Sequence, residues 1–199
     1  QPGDKVLLSY AGHGSQEKEH VPGSEEDGRD EVILLGSFNA VGPGTRERII
    51  DDEFNQWFRA AGERNLEVIF VADACYSGTL TRSFDERAGE VLTRAAPLYS
   101  ITTDMLELDL PSTDTDLGAD ELPHVTFLAA GQENEQVTEI QIRDANGNYQ
   151  VRGALSYMFA RALEGRADDD GDGILTRGEL KLYIRENVRM YSEARQTPN

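Results

Sequence analysis

Apolar residues fall along the chain in short blocks separated by polar, glycine-rich stretches. Lys5-Val-Leu-Leu-Ser-Tyr10 is a brief apolar run that ends on Ala11-Gly12-His13-Gly14, the pattern of a buried strand entering a tight turn. Residues 16 to 31 are polar and read as a loop, Val32 to Leu35 as a second short strand, and Gly36 to Arg48 as loop again. Asp51 and Asp52 precede Phe54, Trp57, Phe58 and Ala61, which share one helical face, and the aspartates are placed to cap that helix. Leu66 to Ala72 is the most strand-like run in the chain and leads into Asp73-Ala74-Cys75-Tyr76-Ser77-Gly78.

From about residue 81 to 123 the periodicity fades, and the stretch reads as a long, exposed, flexible linker. Val125 to Ala130 predicts another strand, and Thr138 to Val151 a hairpin around Asn146-Gly147. Leu155, Met158, Phe159, Ala162 and Leu163 fall on one face of a helix. Leu180, Ile184, Val188 and Tyr191 do the same for a second helix over Glu179–Tyr191. Strands alternating with helices predict an α/β sandwich with a mostly parallel central sheet, in one domain over 1–199. Within it, 1–80 carries the two glycine-rich turns, 81–123 is the linker, and 124–199 forms a small C-terminal part.

Composition narrows the function classes. The 199 residues suffice for one domain with a sizeable core, and no run approaches the roughly 18 apolar residues of a membrane span. Acidic residues outnumber basic ones 37 to 19, a net charge of −18, which disfavours nucleic acid and anionic membranes and favours cations and basic peptide segments. The same charge also suits a merely solvated acidic surface. One cysteine excludes an internal disulfide and suits a reducing, cytoplasmic compartment. The chain opens without Met or a signal-peptide pattern, so we expect a missing N-terminal part.

The candidate chemistry sits where two strands end. His13 and Cys75 each follow an apolar strand and each lies in a glycine-rich turn. Sites in open α/β sheets form beyond the C-terminal strand ends, so parallel neighbouring strands would bring thiol and imidazole together. An imidazole can take the thiol's proton and later protonate a leaving amine. Gly14 lets backbone approach a substrate, and the N–H groups of Gly14 and Cys75 can face a developing oxyanion. Each half alone is weak, since a lone cysteine is most often a small buried hydrophobe and a lone histidine is more often structural.

Near the C-terminus, Asp168 to Glu179 fits the twelve-residue EF-hand pattern. Asp168, Asp170 and Asp172 fill positions one, three and five, and Gly173 the sharp turn at six. Ile174 offers its carbonyl at seven, Thr176 stands at nine, and Glu179 closes the site. Such an oxygen-rich loop selects Ca2+ over zinc, with helices expected on both sides. The alternative is an acidic helix–helix turn that never fills.

Tyr10-Ala-Gly-His-Gly-Ser-Gln16 and Asp73-Ala-Cys-Tyr-Ser-Gly78 resemble the histidine and cysteine motifs of the caspase-like cysteine peptidases, in the metacaspase and bacterial orthocaspase branch. The His-then-Cys order and a separation of about 60 residues agree with this. Glu26 to Glu31, Ile49 to Glu53, and the last two helices agree as well. The resemblance implies a caspase-like three-layer sandwich, lacking the family's first strand and helix, that hydrolyses peptide bonds. Asp73 matches the metacaspase pocket aspartate and would read Arg or Lys, or else only hold a turn. Protein or peptide substrates with basic residues are thus the implied partners, alongside an activating protein or attached domain. A second Ca2+ site is implied at Asp27 or Asp30 with Asp51 and Asp52, although the family's further aspartate is replaced around Arg82. Arg82, Arg87 and Arg94 are the implied self-cleavage points. The rival expectation is a catalytically silent caspase-like binding module.

Overall fold

A computed structural model describes residues 1–23, 28–74, 122–131, 135, 137–144 and 146–198. Cys75, Asp27, Arg82, Arg87 and Arg94 lie outside the described residues, as does the expected linker apart from Leu122 and Pro123. Leu122 is buried against the first long helix, so that end of the expected linker belongs to the core.

The central sheet is parallel and runs in the order β1 (Lys5–Ala11), β5 (Glu67–Asp73), β6 (Val125–Ala129). Side chains alternate across it because successive strand residues face opposite sides. Val68, Phe70 and Ala72 pack with Phe54, Phe58 and Ala61 of α1 (Asp51–Glu63) on one face. Val71 and Leu128 meet α2 (Ala154–Arg161) and α3 (Arg177–Tyr191) on the other, through Leu155, Met158, Phe159, Leu180, Ile184 and Val188. This is the α/β sandwich that the strand and helix patterns predict, in the three layers that the resemblance implies.

A small antiparallel sheet, β2 (Gly14–Lys18), β3 (Arg29–Leu34) and β4 (Arg48–Ile50), leads from the end of β1 to the start of α1. Residues 16 to 31 were expected to be loop, but both ends are strand. Their polar side chains Glu17 and Asp30 point inward, so no apolar alternation marks them. Gly36 to Arg48 likewise contains a 3₁₀ turn, Gly42–Arg46, and β4 begins at Arg48; three residues of strand are too few to show a period.

The expected hairpin is present as β7 (Glu139–Arg143) and β8 (Tyr149–Gly153). Its turn is organised by Asp144, whose carboxylate accepts from the N–H groups of Asn146 and Asn148, and by Gly147 at φ +83°. Three expected core positions lie outward instead: Trp57, Leu163 and Tyr191 are 48, 57 and 46% exposed. Trp57 stands at the edge of the α1 stripe, Tyr191 closes α3 at its frayed end, and Leu163 sits in a wide π-type turn over Ala162–Arg166 that rotates it off the α2 face.

Candidate active site and cation loops

The parallel register of the central sheet sets the site. Every β1 residue from Lys5 to Ala11 pairs with a β5 residue from Glu67 to Asp73, ending on Ala11 opposite Asp73. Neighbouring strands lie about 4.8 Å apart. His13 stands two residues beyond Ala11 in the chain, and Cys75 two residues beyond Asp73. The Gly12 N–H donates to the Asp73 carbonyl at 3.3 Å, continuing the pairing into the histidine turn.

His13 is exposed at the rim of the sheet, and its backbone carbonyl is held from two directions. Its carbonyl accepts from the Leu34 N–H at 3.0 Å, and the Tyr10 hydroxyl lies 2.8 Å from the same oxygen. Gly14 begins β2 opposite Ile33, one residue after the carbonyl that takes Leu34. That is a non-hydrogen-bonded position of an antiparallel ladder, so the Gly14 N–H points away from β3.

Asp73 is fully buried. Its Oδ2 accepts from the Ser156 N–H at 2.8 Å, in the first turn of α2. A helix N-terminus carries unsatisfied N–H groups and partial positive charge, so this carboxylate caps α2 from a distant strand. Gly153 makes the contact possible, because a Cβ there would lie 2.0 Å from Asp73 Oδ2. The neighbouring strand and helix end thus fix the residue that sequence reasoning assigned to a basic pocket. Neither Gly153 nor Ser156 carried a sequence signal for this role, since their relation to Asp73 is purely tertiary.

The second expected cation site is a buried acidic corner between β3 and α1. Asp30 and Asp52 are buried, and Asp51 and Glu31 lie half-buried beside them. The Glu31 N–H donates to Asp51 Oδ2 at 3.2 Å, and the His20 N–H to Asp30 Oδ2 at 2.9 Å. Asp30 Oδ1 is buried with no hydrogen-bond partner among the described residues. Burial, with Glu31 and Asp30 as like-charged neighbours, holds the Asp51 carboxyl well above the ordinary carboxylate range. Burial also raises Asp30, to about 6. The aspartates do not cap α1 as expected. Ile50 holds the cap position, and Glu53 closes it by accepting from the Ile50 N–H at 3.1 Å.

Sequence reasoning missed the network beside that corner. Arg48 Nε and Nη2 donate to the two Glu17 oxygens at 2.5 and 2.6 Å, and Nη1 donates to the Thr45 carbonyl. His20 Nε2 meets Glu17 Oε1 at 2.5 Å. All three side chains are more than nine-tenths buried. Burial would raise the Glu17 carboxyl, but hydrogen bonds from His20 and Arg48 outweigh it and hold the group below its ordinary value. The bond to Glu17 raises His20 in turn.

In the C-terminal loop the carboxylate oxygens of Asp168, Asp170 and Asp172 all lie within 4.8 Å of one another, the one such acidic group among the described residues. The Gly171 and Gly173 N–H groups donate to Asp168, and the Ile174 N–H to Asp172. Gly173 has φ +81°, which suits glycine alone in so sharp a bend. Thr176 caps α3, and Glu179 returns the bond by accepting from the Thr176 N–H and hydroxyl. Those bonds lower the Glu179 pKa. Helices stand on both sides as expected: α2 continues through a π-type turn to Arg166, with Gly165 at φ +89°, and α3 follows the loop. Among the described residues no helix is long and apolar enough to cross a membrane.

Comparison with known proteins agrees with this geometry. The family described as metacaspase, peptidase C14 domain, matches residues 1–83, which include both motif turns. Metacaspase-1 of Saccharomyces cerevisiae is 39% identical over 80 residues, covering 40% of this chain and 17% of the yeast protein. Metacaspase-1B of Neurospora crassa is 26% identical over 96% of this chain and 49% of its own length, and metacaspase-1 of Pyricularia oryzae 26% identical over 82 and 45%. The chain thus spans less than half the length of these curated relatives. A solved structure from Geobacter sulfurreducens shares the fold across the whole chain and 65% of its own, with a TM-score of 0.57 at 21% identity. Over residues 1–83, which hold both sequence motifs, the chain is thus similar to the metacaspases, and across its whole length it is more distantly similar to fungal members of that family.

Proposed function

We propose that this chain is a cysteine endopeptidase cleaving after Arg or Lys, with Cys75 as nucleophile and His13 as acid and base. The observation that carries the reading is the register Ala11 to Asp73, extended by the Gly12 bond, which ends the two strands that precede His13 and Cys75 side by side at the same height. His13 takes the proton of the Cys75 thiol, and the thiolate attacks the carbonyl carbon of the scissile bond. The oxyanion of the tetrahedral intermediate is met by the N–H groups of Gly14 and Cys75. As the C–N bond breaks, His13 gives its proton to the leaving amine, leaving a thioester on Cys75. His13 then deprotonates a water that cleaves the thioester, releasing the acid and restoring the thiol.

Asp73 supports the basic preference as a buried carboxylate two residues before the nucleophile, already pinned to α2 by one oxygen. Protein or peptide segments with exposed Arg or Lys are the substrates, and the net charge of −18 favours their approach over that of nucleic acid. Self-cleavage after Arg82, Arg87 or Arg94 and activation by a protein partner extend the same reading. A lone thiol suits a reducing cytoplasm.

Ca2+ has two candidate places, of which only the C-terminal loop brings three acidic ligand atoms within 4.8 Å of one another among the described residues. The buried Asp30 oxygen without a partner, beside Asp51 and Asp52, is an acceptor that lacks a donor, as a cation ligand would be. The residues there to hold the ion are Asp30, Asp51 and Asp52, with Asp27 as a further candidate. In the C-terminal loop they are Asp168, Asp170, Asp172, Ile174, Thr176 and Glu179, of which the three aspartates bring hard oxygens together as Ca2+ requires. The ion would supply charge neutralisation that holds β3 against α1 and the loop against α3.

Fluorogenic peptides with Arg, Lys or Asp at the cleaved position, with and without Ca2+, test this reading against Cys75→Ala. Turnover of the Arg and Lys peptides that vanishes in Cys75→Ala supports it. Asp preference would overturn the pocket assignment, and no turnover by the intact, longest chain would favour a silent binding module.

A further inference from the structure

We propose that Tyr10 is a positioning residue for His13, holding the imidazole's backbone through its hydroxyl; the inference rests on the peptidase reading above and names a determinant of that same site. Tyr10 is the penultimate residue of β1, and its half-buried ring packs with the cluster on the α1 face of the sheet. The hydroxyl oxygen sits between two carbonyls, 2.8 Å from that of His13 and 2.7 Å from that of Leu34. One proton is shared between them, and the single oxygen joins the end of β3 to the histidine turn.

The backbone is shaped around this ring. A Cβ on Gly12 would fall 2.5 Å from the Tyr10 hydroxyl and 2.7 Å from its Cζ, so the chain crosses directly over the phenol. Here glycine answers a shortage of space. The crossing peptide is fixed on one side by the Gly12 N–H on Asp73 and on the other by the Leu34 N–H on the His13 carbonyl. The phenol supplies the remaining support, under the residue whose side chain must reach the thiol. Holding its carbonyl narrows the headings open to the Cα–Cβ bond of His13. Small misplacements of a reacting group are costly in rate, on the order of a hundredfold per ångström.

Tyr10→Phe keeps the ring under Gly12 and removes only the hydroxyl. Its kcat on the Arg peptide is expected to fall about ten- to a hundredfold with KM within about threefold. The rate of Cys75 alkylation by iodoacetamide against pH supplies a readout that a merely structural role would leave alone. In the wild type a well-placed imidazole makes the thiolate form below the free thiol value of about 8.5, and in Tyr10→Phe the profile is expected to move toward about 8.5. Gly12→Ala, which pushes the phenol aside, is expected to shift the profile the same way. A wild type whose thiol titrates near the free value and turns over no peptide would sink the peptidase reading itself. An active wild type matched within twofold by Tyr10→Phe would overturn the role of Tyr10 alone. So would lost activity with an unmoved alkylation profile in both variants.

Discussion

The carboxylate of Asp73 accepts a hydrogen bond from the backbone N–H of Ser156 at 2.8 Å, across 83 residues of chain. One oxygen of this side chain therefore belongs to the scaffold whatever the other does. Structure and specificity are superimposed on one carboxyl group, and two substitutions separate them. Asp73→Asn retains an acceptor for Ser156 but loses the charge that would meet a guanidinium. Its melting temperature is expected to stay close to wild type while kcat/KM on Arg peptides falls about ten- to a hundredfold. Asp73→Ala also strips the cap from α2 and is expected to cost a further ~1–2 kcal/mol of stability, read by urea unfolding. Equal stability of the two variants would remove the capping role.

Gly153 offers an independent view of the same contact. A Cβ there would lie 2.0 Å from Asp73 Oδ2 and 2.5 Å from its Cγ. Gly153→Ala is expected to destabilise by about 1–3 kcal/mol through overpacking. In an Asp73→Ala background the added methyl has room, so the two losses should combine to less than their sum. Strict additivity in that cycle would show that Gly153 is constrained by something else.

The Glu17, Arg48 and His20 cluster makes stability depend on pH. Removing one member of a buried ion pair strands the other, so Glu17→Gln is expected to cost about 3–5 kcal/mol. The lowered Glu17 pKa gives stabilisation that is complete above its unfolded value of 4.5 and is lost as pH falls through the folded value. The raised His20 pKa gives stabilisation that is complete below 6.5 and is lost as pH rises through the folded value. The gap between wild type and Glu17→Gln should therefore be widest between 4.5 and 6.5 and narrow on both sides. A gap that does not change with pH would remove these two groups from the account.

Calcium is expected to stabilise the chain by mass action, by about 2.7 kcal/mol for each occupied site when free ion exceeds that site's dissociation constant a hundredfold. Asp172→Ala and Asp30→Asn should each remove one part of that gain in a calcium titration followed by thermal melting. Loss of the whole gain in one of them would leave a single working site. No gain in the wild type would leave both acidic groups as ordinary parts of the fold.

Much of the sheet and helix framework was legible because its core residues obey a period. Phe54 and Phe58 mark α1, Leu66 to Ala72 marks β5, and the Asn146-Gly147 turn marks a hairpin. Of the small antiparallel sheet only the apolar end of β3, Val32 to Leu34, was legible; the rest was hidden because it buries Glu17, Asp30 and Arg48 where apolar residues would have announced it. Motif spacing placed His13 just beyond the end of β1, and the family resemblance pointed to the acidic corner of Asp30, Asp51 and Asp52. The partners of Asp73 could not be read from spacing, because a helix start 80 residues away is brought to it only by packing. Tyr10 stood in view within the histidine motif, yet a phenol at the end of an apolar strand reads as core until the two carbonyls above it are seen.

The seven paired positions of β1 and β5 act like meshed teeth. Side chains alternate along a strand, so deleting one β1 residue would draw the histidine turn back by about 3.3 Å and turn every outward group inward. The chain could recover its apolar face by slipping two residues instead, at the expense of carrying the imidazole about 7 Å from its present height. Length between Lys5 and Ala11 is thus as strictly held as any side chain in the turn, and a screen of insertions and deletions there should tolerate none while accepting many single substitutions.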